Sequence, residues 1–263
     1  MFPPERIVCL TEETTETLYL LGEERRIVGI SGYTVRPPRA RREKPRVSAF
    51  ISADVPKILA LKPDLVLAFS DMQAEIVAAL IRAGVAVHAF NQRTIAEILD
   101  MIRTLGALAC APARANALAC EMQANLDRVR ARNAGREFRP RVYFEEWDEP
   151  MISCIAWVSE LIGVAGGIDI FADRAHGKSA KERFVSADEL IARAPDVIIA
   201  SWCGKKFRAE KMMSRPGFEA IPAVRHNRLF EIKSPLILQP GPAALTDGLA
   251  ELERVIGGAG MTR

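Results

Sequence analysis

Acidic residues that could do chemistry crowd into one short stretch of the sequence, EEWDEP, where Glu145, Glu146, Asp148 and Glu149 surround Trp147. Paired carboxylates can divide the general acid and general base roles of an enzyme, so this stretch is a candidate catalytic loop. No group that would face these acids can be identified in the sequence. We therefore favour a second interpretation, in which the acids form either a solvated loop or a hydrogen-bonding rim for amide groups of a ligand. Glu146 and Trp147 are the ligand-binding candidates of this stretch.

The common catalytic and nucleotide-binding motifs are missing from the sequence. HGKS at residues 176–179 resembles the end of a phosphate-binding loop, but the GxxxxGK pattern needs glycine where this chain has Ala172. GxGxxG, GxSxG and HExxH do not occur, and the three histidines lie far apart in the sequence. The sequence thus favours a binding protein over an enzyme, and we expect neither a metal site nor an intrinsic cofactor.

Aromatic residues follow several of the predicted strands. Tyr33 comes after RIVGIS, Phe69 ends DLVLAF, and Trp202 comes after DVIIAS. Open parallel sheets bind ligands at the carboxyl ends of their strands, and aromatic faces suit a large, partly apolar ligand. A ligand site at these strand ends is predicted, although the same residues could simply cap the core of each sheet.

The elements that would position these residues occur twice along the chain. ALKPDLVLAF at residues 60–69 and ARAPDVIIAS at residues 192–201 each predict a helix, a Pro-Asp turn and a buried strand. A further strand, at residues 6–10 and again at 141–144, precedes each copy by a similar course of loop and helix. This order predicts an α/β protein built from two similar lobes with mostly parallel sheets.

One long helix is predicted between the lobes. From Pro112 to about Asn133, apolar residues recur every three or four positions, at Leu118, Met122, Leu126 and Val129. At 1.5 Å per residue such a helix spans roughly 30 Å, about the width of a small domain. The expected organisation is an N-terminal lobe over residues 1–110, a connecting helix over 111–137 and a C-terminal lobe over 138–263.

Composition restricts the class of protein further. The 263 residues are 49% apolar with a net charge of +3, which does not indicate a nucleic-acid partner. No apolar run approaches the twenty residues of a membrane span. The five cysteines include no CxxC pair, as is typical of a reducing compartment, and MFPPERIVCL has no signal-peptide features. The chain is expected in the periplasm if a signal peptide precedes this start, and otherwise in the cytoplasm.

Four stretches carry a resemblance to a known family. They read VGISGYTVRPPRARREKPRVSAF, ILALKPDLVLAFSDMQAEIVAALIRAGVAVHAF, WVSELIGVAGG and VSADELIARAPDVIIASW. In this order they resemble the class III periplasmic substrate-binding proteins of ABC importers, which carry cobalamin, iron-siderophores or haem, and most of all the cobalamin-binding branch. The resemblance extends over nearly the whole chain.

The resemblance implies two Rossmann-like lobes joined by a single helix, with a ligand held in a cleft between them. Phe69 stands where the cobalamin binders have an aromatic residue that contacts the corrin. Arg36 stands where they have a tyrosine, and a cation there could meet a phosphate or carboxylate of the ligand. Position around the same cleft adds the candidates Tyr33, Phe50, Trp147, Trp157, Trp202 and Gln239.

Family members dock on the membrane permease through one exposed glutamate on each lobe. Glu75 matches the first glutamate, whereas Leu238 or Gln239 stands in place of the second. The implied function is binding of a cobalamin-like corrinoid or another metal chelate, by a monomer that serves an importer. Two alternatives stay open: a cytoplasmic corrinoid-handling protein of the same fold, and a two-lobed α/β enzyme such as a glycosyltransferase or chelatase.

Overall fold

A computed structural model describes residues 3–259, which form two compact units. Unit 1 comprises the chain up to Gln92 together with Ala96–Met122, and unit 2 comprises Arg93–Ile95 and the chain from Gln123 onward. Within the described part of the chain, every helix is too short or too polar to cross a lipid bilayer.

Unit 1 is built on a parallel sheet of five strands in the order β3-β2-β1-β4-β5. The strands are β1 (Ile7–Cys9), β2 (Ile27–Ser31), β3 (Arg46–Ser48), β4 (Leu65–Phe69) and β5 (Val87–Phe90). The helices are α1 (Glu12–Leu20), α2 (Ala40–Glu43), α3 (Val55–Ala60), α4 (Ala74–Arg82), α5 (Ile95–Leu108) and the first part of α6 (Pro112–Asn133). The central strands β1 and β4 are buried along their whole length, which explains their continuous apolar sequences.

Unit 2 contains a second sheet, in the order β10-β9-β6-β7, with β8 paired to the start of β6. Its strands are β6 (Arg141–Asp148), β7 (Met151–Ser153), β8 (Ile168–Asp169), β9 (Val197–Ala200) and β10 (Leu229–Glu231). Only the β6–β7 pairing is antiparallel among the pairings described. The helices are α7 (Ala156–Val164), α8 (Ala187–Arg193), α9 (Ala209–Met213), α10 (Pro222–Arg225), α11 (Ser234–Ile237) and α12 (Leu249–Ala259).

The two sheets share one strand pattern. The neighbours β2-β1-β4-β5 of unit 1 correspond to β8-β6-β9-β10 of unit 2, and every pairing in both sets is parallel. The predicted two α/β lobes with mostly parallel sheets are therefore confirmed, and the strand orders agree with the internal duplication.

The predicted long helix forms over Pro112–Asn133 as α6, which begins in unit 1 and ends in unit 2. Met122, Leu126 and Val129 are buried as the periodicity predicts, whereas Leu118 is half-buried. The small residue Ala115 lies on the buried face because α5 passes so close that a Cβ at Gly106 would overlap it.

The Pro-Asp turn of unit 1 fastens the beginning of β4 to the beginning of β1. The carboxylate of Asp64 accepts hydrogen bonds from the backbone N–H groups of Glu5, at 2.7 Å, and Arg6, at 2.9 Å. The guanidinium of Arg6 in turn donates to the carbonyl oxygen of Leu61, at 2.6 Å. A side chain and a backbone segment thus hold each other in register at the start of both strands.

The same arrangement recurs in unit 2. Asp196 accepts from the backbone N–H of Arg141 at 2.8 Å, and Arg141 donates to the carbonyl oxygen of Arg193 at 2.6 Å. The residues before the two prolines, Lys62 and Ala194, both have a positive φ, of 49° and 41°. The sequence repeat therefore encodes one strand-pairing clamp, used twice.

We expect Asp64→Ala and Asp196→Ala each to lower the free energy of unfolding by about 1.5–3 kcal/mol, because each removes charge-assisted hydrogen bonds to backbone donors. Urea denaturation followed by circular dichroism measures this loss. Asp100→Ala is the matched control, since the Asp100 side chain is 73% exposed and pairs only across one turn with Arg103. Equal midpoints for all three variants would contradict the clamp.

Candidate functional site

Three aromatic candidates of unit 1 lie at or just beyond the carboxyl ends of neighbouring strands. Tyr33 follows β2 and is 55% exposed, Phe50 follows β3 and is half-buried, and Phe69 ends β4 and is buried. The structure therefore brings the predicted residues to one edge of the sheet, the edge at which parallel sheets bind ligands. Contact of these residues with a ligand stays a prediction.

A single buried amide holds this edge of unit 1 together. Gln73 is fully buried; its Oε1 accepts from the backbone N–H of Phe69 at 2.9 Å, and its Nε2 donates to the carbonyl oxygen of Phe50 at 2.8 Å. Nε2 also lies 3.4 Å from the carbonyl oxygen of Leu10. The side chain of Gln73 therefore connects the residue after β1, the segment after β3 and the last residue of β4. Sequence analysis missed Gln73, because nothing in DMQAEIV distinguishes it from a surface glutamine.

Three carboxyl groups on α1 lie beside the same edge, and sequence analysis missed them as well. Glu12, Glu13 and Glu16 are all buried, and the hydroxyl of Thr11 donates to Glu13 at 2.6 Å. Burial and the neighbouring carboxylates raise the pKa of Glu12 to about 8. Burial raises the pKa of Glu13 to about 7, against the hydrogen bond from Thr11. The only sequence feature that could have indicated these buried acids is the run TEETTET, directly after a buried strand.

Arg36 has a carboxylate partner within unit 1. Its Nε lies 2.7 Å from Oε1 of Glu16, and both side chains are largely shielded from solvent. Glu16 therefore offsets the positive charge of Arg36, which was expected from the sequence to meet a phosphate or carboxylate of the ligand. A role of Arg36 in ligand binding stays a prediction.

Three further candidates lie away from the acidic stretch EEWDEP: one is exposed, one is buried and one is half-buried. Glu75 is exposed in the first turn of α4, as a docking residue must be. Trp157 is buried in α7, where its indole N–H donates to the carbonyl oxygen of Ile237 at 2.9 Å. Gln239 lies half-buried just after α11. The docking role of Glu75 and the ligand contacts of the other two stay predictions.

The acidic stretch EEWDEP, expected from the sequence to be a loop, is a strand as far as Asp148, because β6 extends over Arg141–Asp148. Its first acid, Glu145, is buried and bonded to one of the site candidates, Trp202. Glu145 accepts hydrogen bonds from the indole of Trp202 at 2.9 Å and from the hydroxyl of Tyr143 at 3.1 Å. The guanidinium of Arg215 completes the group, at 2.6 Å and 3.0 Å. Burial raises the pKa of Glu145, and the bonds from Arg215 oppose that rise. Trp202 is therefore held at the end of β9 by a hydrogen bond as well as by packing.

A second carboxylate of the acidic stretch, on the last residue of β6, holds two lysines. Asp148 accepts from Nζ of Lys205 at 2.8 Å and from Nζ of Lys211 at 2.6 Å. Burial of Asp148 acts to raise its pKa, but the two ammonium groups outweigh burial and lower the pKa to about 2. Lys205 also lies over the ring of Trp147, with its Nζ 3.7 Å from the ring centroid.

Glu146 is the third paired acid of this stretch. It lies 2.5 Å from the guanidinium of Arg183, a residue that is almost fully buried. Three of the four acids in EEWDEP thus meet cations of the same unit. Within residues 3–259, no group of three or more His, Cys, Asp or Glu side chains is placed to hold a metal ion. These three acids are therefore partners of structural ion pairs.

Comparison with known proteins agrees with this architecture. Residues 7–236 match the family described as Periplasmic binding protein. The chain belongs to this family. The match includes β1 to β10, so that both units with their strand ends are part of the family fold.

Individual relatives are similar to this chain over nearly its whole length. The vitamin B12-binding protein of Vibrio cholerae is 29% identical over 248 residues, covering 93% of this chain and 86% of the relative. An ABC transporter substrate-binding lipoprotein of Bacillus subtilis is 26% identical, covering 96% and 80%. The solved periplasmic haem-binding protein of Roseiflexus sp. RS-1 is 25% identical with a TM-score of 0.80, covering 96% and 99%.

The buried glutamates of α1 predict a pH dependence of stability. Because their folded-state pKa values lie above the usual value of 4.5, the folded chain binds more protons than the unfolded chain, and stability falls as pH rises from about 4.5 to 8. We expect Glu12→Gln to reduce this fall by at least about 1 kcal/mol, measured by urea denaturation at several pH values. Glu121→Gln, which changes an exposed glutamate of α6, should retain the slope of the unaltered protein. An unchanged slope for Glu12→Gln would overturn the assignment.

The buried ion pair of unit 2 gives a second prediction. Arg215→Ala leaves Glu145 buried without its cation, and we expect the free energy of unfolding to fall by about 3–5 kcal/mol. The double variant Glu145→Gln with Arg215→Met should recover most of that loss, because it leaves no buried charge. Urea denaturation measures both variants, with Arg254→Ala as the control for an exposed ion pair. A double variant no more stable than Arg215→Ala would contradict the explanation.

Proposed function

We propose that this protein binds a cobalamin-like corrinoid, or another planar metal chelate, and releases it unchanged as the substrate-binding component of an ABC importer. The observation that carries the proposal is the family match over residues 7–236, together with relatives whose names specify vitamin B12 and haem. Aromatic residues at the strand ends of both units, Tyr33 and Phe69 in one and Trp147 in the other, support it. Their faces suit the apolar surface of a tetrapyrrole ring.

Haem is the second ligand candidate, because the Roseiflexus protein is named for it and matches almost the whole chain. An enzyme is a weaker alternative. Its proposed carboxylates, Glu145, Glu146 and Asp148, each pair with a cation within unit 2. That arrangement supports a structural role for these acids and a non-catalytic protein.

The importer role also requires a permease and a location outside the cytoplasm. The Bacillus relative is named as a transporter lipoprotein, which supports both. Glu75 is our proposed docking residue, since it is exposed on α4 and free to meet an arginine of the partner. We propose a monomer that acts from one side of the membrane without spanning it. The ligand cleft expected from the sequence stays a prediction.

The first experiment is a calorimetric titration of the protein with cyanocobalamin, haem and a ferric siderophore in parallel. We expect one-to-one binding of cyanocobalamin or haem. Tyr33→Ala and Trp147→Ala should each weaken that binding by about 1–3 kcal/mol, because each removes an aromatic contact at a partly exposed position without opening the core. Phe184→Ala is the control, since Phe184 is comparably exposed but is not among the ligand-binding candidates. The absence of measurable binding to any of the three ligands would overturn the proposed function.

A further inference from the structure

We propose that Lys205 and Lys211, held on Asp148 in unit 2, form a subsite for an anionic group, a carboxylate or a phosphate. The two lysines and Asp148 are called the lysine pair below. Its use in recognising an anionic substituent of the chelate rests on the proposed function. The anion binding itself does not depend on the identity of the chelate.

The charges of the lysine pair do not cancel. Two ammonium groups share the single carboxylate of Asp148, at 2.8 Å and 2.6 Å, which leaves one positive charge in excess. The neighbouring guanidinium of Arg215 does not alter this balance, because it is matched by the buried carboxylate of Glu145. Each ammonium group has three donors, so the hydrogen bonds to Asp148 leave donors for a further acceptor.

The geometry presents those donors to solvent. The side chain of Asp148 is 2% exposed, whereas those of Lys205 and Lys211 are 43% and 48% exposed. The backbone of Asp148 is held in place as well, because Arg215 donates to its carbonyl oxygen at 3.1 Å. Two lysines that would otherwise sample many rotamers are thereby held together, which lowers the entropic cost of binding an anion.

The surrounding loop leaves the excess charge of the lysine pair in place. Lys206 and Arg208 are exposed in the same loop, and the exposed acids Glu149 and Glu210 balance these two cations, so the single positive excess of the lysine pair remains. Gly204, with a φ of 70°, allows the turn that returns the chain to Lys205, and no atom lies within 4 Å of where its Cβ would be. The two ammonium groups are accessible to an anion because the lysine side chains are 43% and 48% exposed.

The lysine pair also adjoins an aromatic face. Lys205 lies over the ring of Trp147, and Lys211 lies 5.7 Å from the ring centroid of Trp202. Such a neighbourhood fits a ligand with an apolar body and an anionic substituent, as in a porphyrin carboxylate or the phosphate of a corrinoid. The subsite would favour chelates that carry such a group over neutral ones.

The test uses inorganic phosphate as the probe and the three tryptophan indole N–H signals as reporters in proton–nitrogen NMR spectra. At constant ionic strength, replacing chloride by phosphate should shift the signals of Trp147 and Trp202 saturably. The signal of Trp157, whose indole N–H is bonded to Ile237, is the internal control and should not move. The absence of a saturable shift, or equal shifts of all three signals, would overturn the subsite.

Single variants then assign the effect to the lysine pair. Lys205→Gln and Lys211→Gln each leave one ammonium group on Asp148, so the carboxylate stays paired while the excess charge is lost. Each should weaken phosphate binding by about fivefold or more, within the range of a charge-assisted hydrogen bond. Lys181→Gln, at an exposed position elsewhere in unit 2, should bind phosphate as the unaltered protein does. Equal affinities for the three variants would contradict the assignment.

The outcomes separate this inference from the proposed function. Phosphate binding in a protein that takes up no chelate would support the subsite and contradict the proposed function. Chelate binding without any phosphate response would support the proposed function and contradict the subsite.

Discussion

The parallel pairing of one central strand with its neighbour is the constraint on which both units depend. In each unit an aspartate of the Pro-Asp turn accepts from the backbone at the start of the central strand, and an arginine at that start returns a hydrogen bond to the end of the preceding helix. This clamp fixes the register of β4 on β1 and of β9 on β6. With the starts of the strands aligned, their carboxyl ends are aligned as well, and the site residues follow those ends.

Buried polar groups then give each strand edge a defined shape. In unit 1 the amide of Gln73 joins three segments, and in unit 2 the carboxylate of Glu145 joins β6, Trp202 and Arg215. Buried polar atoms are costly unless their hydrogen bonds are complete, so these groups favour one arrangement of the loops over its alternatives. Rigid loops suit a binding protein, because a preorganised site loses less entropy when the ligand arrives.

The acidic stretch EEWDEP shows how pairing changes the meaning of a motif. Four acids within EEWDEP resemble a catalytic cluster in the sequence, yet three of them hold cations that come from later parts of the chain. The end of β6 thereby holds two lysines and a tryptophan in place. Two half-exposed lysines lie on this acidic stretch, which its sequence alone would not have indicated.

The sequence by itself determined the two α/β lobes, the long helix α6 and the strand ends where site candidates lie, because hydrophobic periodicity and turn residues act locally. It also indicated Tyr33 and Trp147 as candidates. Only the tertiary structure decided the partners of the polar groups. Glu145 and Arg215 lie 70 residues apart, and Gln73 and Leu10 lie 63 residues apart. No local pattern encodes such pairs, because burial and charge compensation arise only when distant segments pack together.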